Sequence, residues 1–159
     1  MSEIKTEELA ALIRKAGKVE RVGEFQYPYL PDVYFRICYA SKFMLQQIRE
    51  VSREAFTNLR TRTQEERFNE EKLRNEYAKL IIKGWRGLTV DKLNVMLPGM
   101  VAVEGKALPD QEVPFGLDIA VALMDNSFEF ENWVVAIASE VQNFSHVAER
   151  KKEQLENLK

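Results

Sequence analysis

The chain has 159 residues, of which 45% are hydrophobic and 30% are charged. This length suits one domain, and this apolar fraction is enough to build a core. The 23 basic and 25 acidic residues leave a net charge of −2, which argues against electrostatic binding to nucleic acid or an anionic membrane. No apolar run reaches the ~18 residues of a membrane span, and the first residues lack the apolar region of a signal peptide. One cysteine, Cys38, permits no disulfide within the chain and fits a reducing cytoplasm.

Residues 1–18 predict a short amphipathic helix at the start of the chain. Leu9, Leu12 and Ile13 form one apolar stripe, and Gly17 is a suitable stop. We expect this segment to be loosely held on the rest of the protein or to dock on a partner.

A hairpin of two β-strands is predicted next. Residues 33–39 alternate β-branched and aromatic side chains with polar ones, which is a strand pattern. Residues 19–27 can supply the second strand, with the prolines of residues 28–31 in the turn. Because a two-stranded hairpin alone is marginally stable, we expect it to lie against helices.

Two helices are predicted in the middle of the chain. Ser41 is a good N-cap for the first of them. Its apolar residues recur at helical spacing and are Met44, Ile48, Val51 and Ala55. A polar break covers residues 57–64, and a second helix covers residues 65–83. The residues predicted on the buried face of that second helix are Leu73, Tyr77, Leu80 and Ile81. We interpret the highly charged outer face of that second helix as a solvated surface.

A long connection is predicted after a third, short helix. Residues 84–87 close the preceding helix, Thr89 caps residues 90–97, and Pro98 begins a connection that lasts to residue 114. Loops longer than about 12–15 residues in a compact domain are usually functional or mobile. We therefore expect this connection to become ordered on contact with a partner.

The last part of the chain predicts two more helices. The first follows Pro114 and ends near Met124, and Ser127 caps the second, which is the longest. An apolar stripe runs along that last helix through Phe130, Trp133, Val134, Ile137, Val141, Phe144 and Ala148.

These elements predict a mainly α fold, with about five helices and a small N-terminal β-hairpin in a single domain. We divide the chain into a loosely held segment (1–18), a helical domain that includes the hairpin (19–148), and a charged C-terminal helix end (149–159).

The sequence offers little support for catalysis or for a bound cofactor. Cys38 and His146 are a conceivable nucleophile and base, but a cysteine in a strand pattern is usually a small buried hydrophobe. The glycines are isolated and form no phosphate-binding loop. Three acidic residues, Asp110, Glu112 and Asp118, lack the spacing of a calcium loop. We expect no enzyme activity, no cofactor and no metal.

Three elements between residues 77 and 144 occur in an order and spacing that resemble a phage family. The first is a helix followed by Trp85-Arg86-Gly87, and the second is Val113-Pro114-Phe115 before a helix. The third is the run from Asn126 to Val134, with an aromatic pair before Trp133. The pattern resembles the tail assembly chaperones of phages and prophages. Gly116 stands where that family has Ser or Thr, but glycine is also an acceptable N-cap.

The resemblance implies a non-enzymatic function in the cytoplasm of the bacterial host. Members of the family bind the long tape measure protein, promote assembly of the tail tube around it, and are absent from the finished virion. Many also occur in a longer, frameshifted form. The implied partners are the tape measure protein, the tail tube protein and further copies of the chain, without nucleic acid or membrane.

Exposed aromatic and apolar residues near the long connection are the predicted partner contacts, since such residues are common interface anchors. They are Trp85, if it is exposed, with Met100, Val101 and Phe115, and we add the C-terminal helix to them. Three alternatives stay open: a structural tail or connector component of the virion, an enzyme built on Cys38 and His146, and a helical antitoxin or inhibitor.

Overall fold

The computed structural model describes residues 3–98 and 110–145. Within these ranges the chain forms six α-helices, one 3-10 helix and five strands in two sheets. The helices are α1 (Thr6–Ala16), α2 (Lys42–Ser52), α3 (Glu70–Ile81), α4 (Val90–Met96), α5 (Leu117–Asn126) and α6 (Phe128–Ser139), followed by the 3-10 helix (Val141–Phe144). The strands are β1 (Val22–Tyr27), β2 (Leu30–Cys38), β3 (Arg53–Asn58), β4 (Thr63–Phe68) and β5 (Ile82–Arg86).

The fold is mixed α/β, so the expectation of a mainly α protein with one small hairpin is wrong. Helices account for 52% of the described residues and strands for 26%. Two features that the sequence patterns did not reveal cause the difference, namely a third strand in the first sheet and a second hairpin.

The first sheet has the order β1-β2-β5 and is antiparallel throughout. The predicted hairpin supplies β1 and β2, and β5 pairs with β2 so that Trp85 lies opposite Phe35. Residues 82–86 were predicted to be the end of a helix and the residues that close it. The apolar run at this point fits either structure locally, and pairing with β2 decides in favour of a strand.

The second sheet is a separate hairpin of β3 and β4, which we call the arm (Arg53–Phe68). The sequence predicted here a helix end, a polar break and the start of another helix. All of β4 is exposed, so no apolar alternation marks it as a strand. Polar cross-strand contacts hold the arm instead: Arg53 lies 3.5 Å from Glu66, and the Arg67 guanidinium lies over the Phe56 ring at 4.6 Å.

Helix starts were predicted best, because a capping side chain is a local signal. The Ser41 hydroxyl accepts a hydrogen bond from the Met44 backbone N–H, and the Ser127 hydroxyl accepts one from the Phe130 N–H, both at 3.2 Å. The start of α3 was missed, since Asn69 accepts from the Lys72 N–H and thus begins the helix at Glu70 instead of residue 65.

The last helix is shorter than its apolar stripe suggested. It ends at Ser139, and the 3-10 helix then turns Phe144 back onto the rings of Phe25 and Tyr39, at 5.4 and 5.6 Å. The Asn143 side chain donates to the Ile137 carbonyl and fixes this turn. Val141 is consequently exposed, and Ala148 and the predicted segment 149–159 lie outside the described residues.

Helix α1 forms where the amphipathic pattern predicted it, and Gly17 ends it. None of its residues is buried, and Leu9, Leu12 and Ile13 are all exposed. The division of the chain at residues 18 and 148 stays a prediction.

Two tyrosines in the core predict that the protein loses stability in alkali. Burial is the main reason that the pKa of Tyr27 and of Tyr77 rises from 10.0 to about 12. Their contribution to stability is fully present below about pH 10, and it falls at higher pH because only the unfolded chain then releases these protons. The urea midpoint should therefore drop between about pH 10 and pH 12, and Tyr77→Phe should reduce that drop. A drop of equal size in Tyr77→Phe would contradict the assignment for this residue.

Candidate functional site

Trp85 and Phe115, two of the four predicted partner residues, lie against each other. Their ring centroids are 4.8 Å apart, and the Trp85 indole N–H donates to the Val113 carbonyl at 2.8 Å. On its other side Trp85 meets the Phe35 ring in the core. The half-buried Trp85 therefore ties the chain before α5 to β5, and Phe115, which is 41% exposed, is the more accessible ring of the pair.

The other two predicted partner residues, Met100 and Val101, lie outside the described residues. Backbone hydrogen bonds tie the end of their connection to the residues at the start of α4. The Val90 N–H donates to the Gln111 carbonyl, and the Val113 N–H donates to the Leu88 carbonyl. Whether the connection becomes ordered on a partner stays a prediction.

An open groove lined by α2, α3, α5 and α6 offers an apolar surface to a partner. Its cavity measures about 460 Å³, and buried apolar side chains form its floor. The floor residues are Ile48, Tyr77 and Met124. Leu45 and Val135 form its walls and are 36% and 41% exposed. We call this surface, with these five residues, the helix groove.

Charged side chains of both signs stand at the rim of the helix groove. Arg74 is held in place by Asp125 at 3.1 Å and by Glu131 at 3.9 Å. Arg49 and Glu70 also line the groove and form no ion pair within the described part of the chain. An apolar floor with free charges of both signs suits an amphipathic segment that carries charges beside its apolar stripe.

The sequence patterns identified only some of the residues that form this groove. Ile48 and Tyr77 were assigned to buried helix faces, and both are buried. Leu45 and Val135 were not singled out, because each lies beside a predicted apolar stripe and not within it. Only the packing of four helices, which lie far apart in sequence, shows that both side chains open onto one surface.

A second cavity lies between α2 and α3 on the side of Phe43 and Leu80. It is larger, at about 880 Å³, but polar side chains make up most of its lining. It carries basic and acidic residues together, namely Arg49, Glu50, Arg53 and Glu76. It is therefore less suited than the helix groove to an apolar ligand.

The structure gives Cys38 the environment of a core residue. The thiol is buried, donates to the Tyr39 carbonyl at 3.6 Å and lies 3.8 Å from the Met44 sulfur. Burial raises the pKa of the Cys38 thiol, which disfavours the reactive thiolate. His146, the conceivable base, lies outside the described residues.

In residues 3–98 and 110–145, no group of three or more His, Cys, Asp or Glu side chains is arranged to hold a metal ion. No helix in the same ranges combines the length and hydrophobicity that a membrane crossing requires.

Comparison with known proteins identifies the family. No curated protein and no solved structure matches the chain. Residues 39–157 match a family described as YdaY prophage protein, and these residues make up well over half of the chain. They include β5, the helix groove and all three sequence elements between residues 77 and 144. The chain therefore belongs to the YdaY prophage protein family.

Proposed function

We propose that this prophage protein is a tail assembly chaperone, which binds the tape measure protein and promotes assembly of the tail tube around it. It acts in the host cytoplasm, catalyses no reaction and leaves before the virion is complete. The observation that carries the proposal is the open helix groove, and the prophage family and the tail-chaperone-like sequence elements support it.

The helix groove has the form that binding of an amphipathic helix requires. Such a helix presents apolar residues at positions i, i+3, i+4 and i+7, and a groove between helices buries that stripe. Leu45 and Val135 would contact the stripe, and Arg49 and Glu70 would pair with charges beside it. A tape measure protein, as a long helix with apolar surface, offers this stripe many times along its length.

Moderate affinity at each groove suits a chaperone that must be displaced. The groove is small, so one contact buries little surface and can be released when the tube protein arrives. Many copies on one tape measure protein bind together more firmly than one copy does. The same geometry therefore combines protection of a long partner with stepwise removal.

The test is co-expression with the long helical protein encoded nearby, in wild type and in the double variant Leu45→Asp with Val135→Asp. Both residues are exposed, so the variant should still fold, but two carboxylates now face the apolar stripe. We expect wild type to keep the long protein soluble and to co-purify with it. The double variant should bind at least about tenfold more weakly and leave it in the pellet.

A matched control changes the same residue types elsewhere. Val95→Asp with Leu117→Asp alters one exposed valine and one exposed leucine outside the groove and should leave binding unchanged. Phe115→Asp tests the predicted aromatic contact separately. If the long protein is equally soluble with wild type and with the groove variant, the helix groove is not its binding surface. Failure of wild type to solubilise it would remove the chaperone function.

A structural tail or connector component is the second candidate, and the arm favours it. Projecting hairpins with unpaired edges join neighbouring subunits in many assemblies, and every residue of β4 is exposed. Mass spectrometry of purified particles separates the two functions. A chaperone is absent from them, whereas a structural component is present in constant copy number.

A further inference from the structure

The arm ends in an exposed leucine that is followed by two basic residues, and we call residues 59–62 the tip. Leu59 is 89% exposed, more than any other large hydrophobic residue described, and Arg60 and Arg62 come after it in the turn. Because a two-stranded hairpin is marginally stable in water, burial of Leu59 against another surface would stabilise the arm.

Local hydrogen bonds hold the backbone of the tip in one conformation. The Arg60 N–H donates to the Asn58 side-chain oxygen at 3.0 Å, and the Arg62 N–H donates to the Asn58 carbonyl at 2.7 Å. Arg62 has a φ of 54°, a left-handed conformation that costs a residue other than glycine roughly 1–2 kcal/mol. An arginine thus occupies a position that glycine would fill at lower cost, as is common where a side chain has a function.

A complementary cavity lies between α4 and α5. It measures about 420 Å³, its lining is almost wholly apolar, and Leu93 and Leu123 form its buried floor. Asp118 is the one charged residue among those that line it. Val113 also lines it, and the preceding residue, Glu112, is exposed.

Charge decides which of the described cavities suits the tip. The helix groove and the cavity beside Phe43 are each lined by two basic and two acidic residues. Among the described residues that line the cavity between α4 and α5, Asp118 alone is charged. A leucine followed by two arginines therefore fits this third cavity best.

The arm of one molecule and its own cavity lie at different ends of α3. The arm joins α3 at its start, where Asn69 caps the helix, and Arg74 in the next turn binds Asp125 near the end of α5. Asp118 is at the opposite end of α5, roughly 10 Å farther along the helix axis at 1.5 Å per residue. Leu59 is 89% exposed and does not fill the cavity of its own molecule, so a second molecule would have to supply the leucine.

We propose that Leu59 of one copy of this chain inserts into the cavity between α4 and α5 of the next copy, with Arg60 and Arg62 paired with Asp118 and Glu112. The contact joins two different surfaces, so each copy has one free arm and one free cavity, and copies add head to tail. Self-association of this kind needs no tape measure protein. It would also bring several helix grooves into one assembly, which supplies avidity on a long partner.

The test is sedimentation of purified protein over a range of concentrations, with charge-reversed variants. Wild type should form species larger than a dimer as its concentration rises. Arg60→Glu with Arg62→Glu should stay monomeric, and so should Glu112→Lys with Asp118→Lys. An equimolar mixture of these two variants should associate again, since each tip then faces a cavity of opposite charge.

Two controls separate the contact from general charge and from folding. Arg14→Glu with Lys15→Glu makes the same change of net charge on exposed α1 and should leave association unchanged. Leu59→Asp should abolish association without touching the core. Wild type that stays monomeric at all concentrations, or variants that fail to associate when mixed, would overturn the proposal. Neither result bears on binding of the tape measure protein by an isolated copy.

Discussion

Gly87→Ala is expected to unfold the protein or to cost it about 3 kcal/mol or more of unfolding free energy. Gly87 has a φ of 76°, in the left-handed region, where a side chain adds roughly 1–2 kcal/mol of strain. A Cβ at this position would also overlap the Asp32 carbonyl oxygen in β2. Because that oxygen belongs to the backbone of a central strand, the sheet itself must shift to make room. Urea unfolding followed by circular dichroism measures the loss.

Gly84→Ala is the matched control, with the same substitution three residues earlier. A Cβ at Gly84 would lie 3.6 Å from the Arg36 side chain, which is an ordinary contact, and Gly84 has no positive φ. Alanine also suits a strand better than glycine, so Gly84→Ala should change stability by less than about 1 kcal/mol. If both variants unfold at the same urea concentration, the close approach of Gly87 to β2 has no energetic importance.

This glycine gives a physical reason for the Trp-x-Gly element found in the sequence. Trp85 packs against Phe35 from β5, and Gly87 lets the chain turn directly against β2. The element therefore ends a strand at the sheet edge. It was predicted to end a helix, since glycine after an apolar run is also a common helix stop.

Local signals explain which parts of the fold could be predicted. Ser41 and Ser127 cap their helices through hydrogen bonds to residues only three positions away, so these helix starts can be predicted from the local sequence. The pairing of β5 with β2 joins residues some fifty positions apart, and no local pattern encodes it. The arm was missed for a different reason. β4 consists of polar side chains and one exposed Phe68, and β3 alternates only between exposed and half-buried residues, so neither strand has a buried apolar face that a sequence pattern would show.

The candidate sites follow the same division. Trp85 and Phe115 were identified as aromatic residues near a long connection, and their rings do lie in contact. The contact and the indole hydrogen bond hold Trp85 in a fixed position, while Phe115 remains exposed. The helix groove is built from residues between Leu45 and Val135, so four helices must pack before it exists. Sequence patterns identify side chains that can bind a partner, and tertiary packing decides which of them share a surface.

Phe35→Ala is expected to lower the unfolding free energy by about 3–5 kcal/mol. Phe35 is fully buried at the centre of β2, and four aromatic rings surround it. Their centroids lie 5.0 to 6.1 Å away and belong to Phe130, Trp133, Tyr27 and Trp85. Alanine leaves a cavity that these rigid rings cannot fill, so the transfer energy and the ring contacts are both lost. For a domain with about 5–15 kcal/mol of total stability, this loss is a large part.

The measurement is urea unfolding of wild type, Phe35→Ala and Phe128→Ala, with near-ultraviolet circular dichroism as a report on aromatic packing. Phe128 is the same residue type, but it is 84% exposed, so its loss should change stability by less than about 0.5 kcal/mol. Phe35→Ala should also weaken the near-ultraviolet signal, because Trp85 and Trp133 lose the ring between them. Equal unfolding midpoints for the two alanine variants would mean that the ring cluster around β2 does not organise the core, and the packing of α6 on the sheet would then need another source of stability.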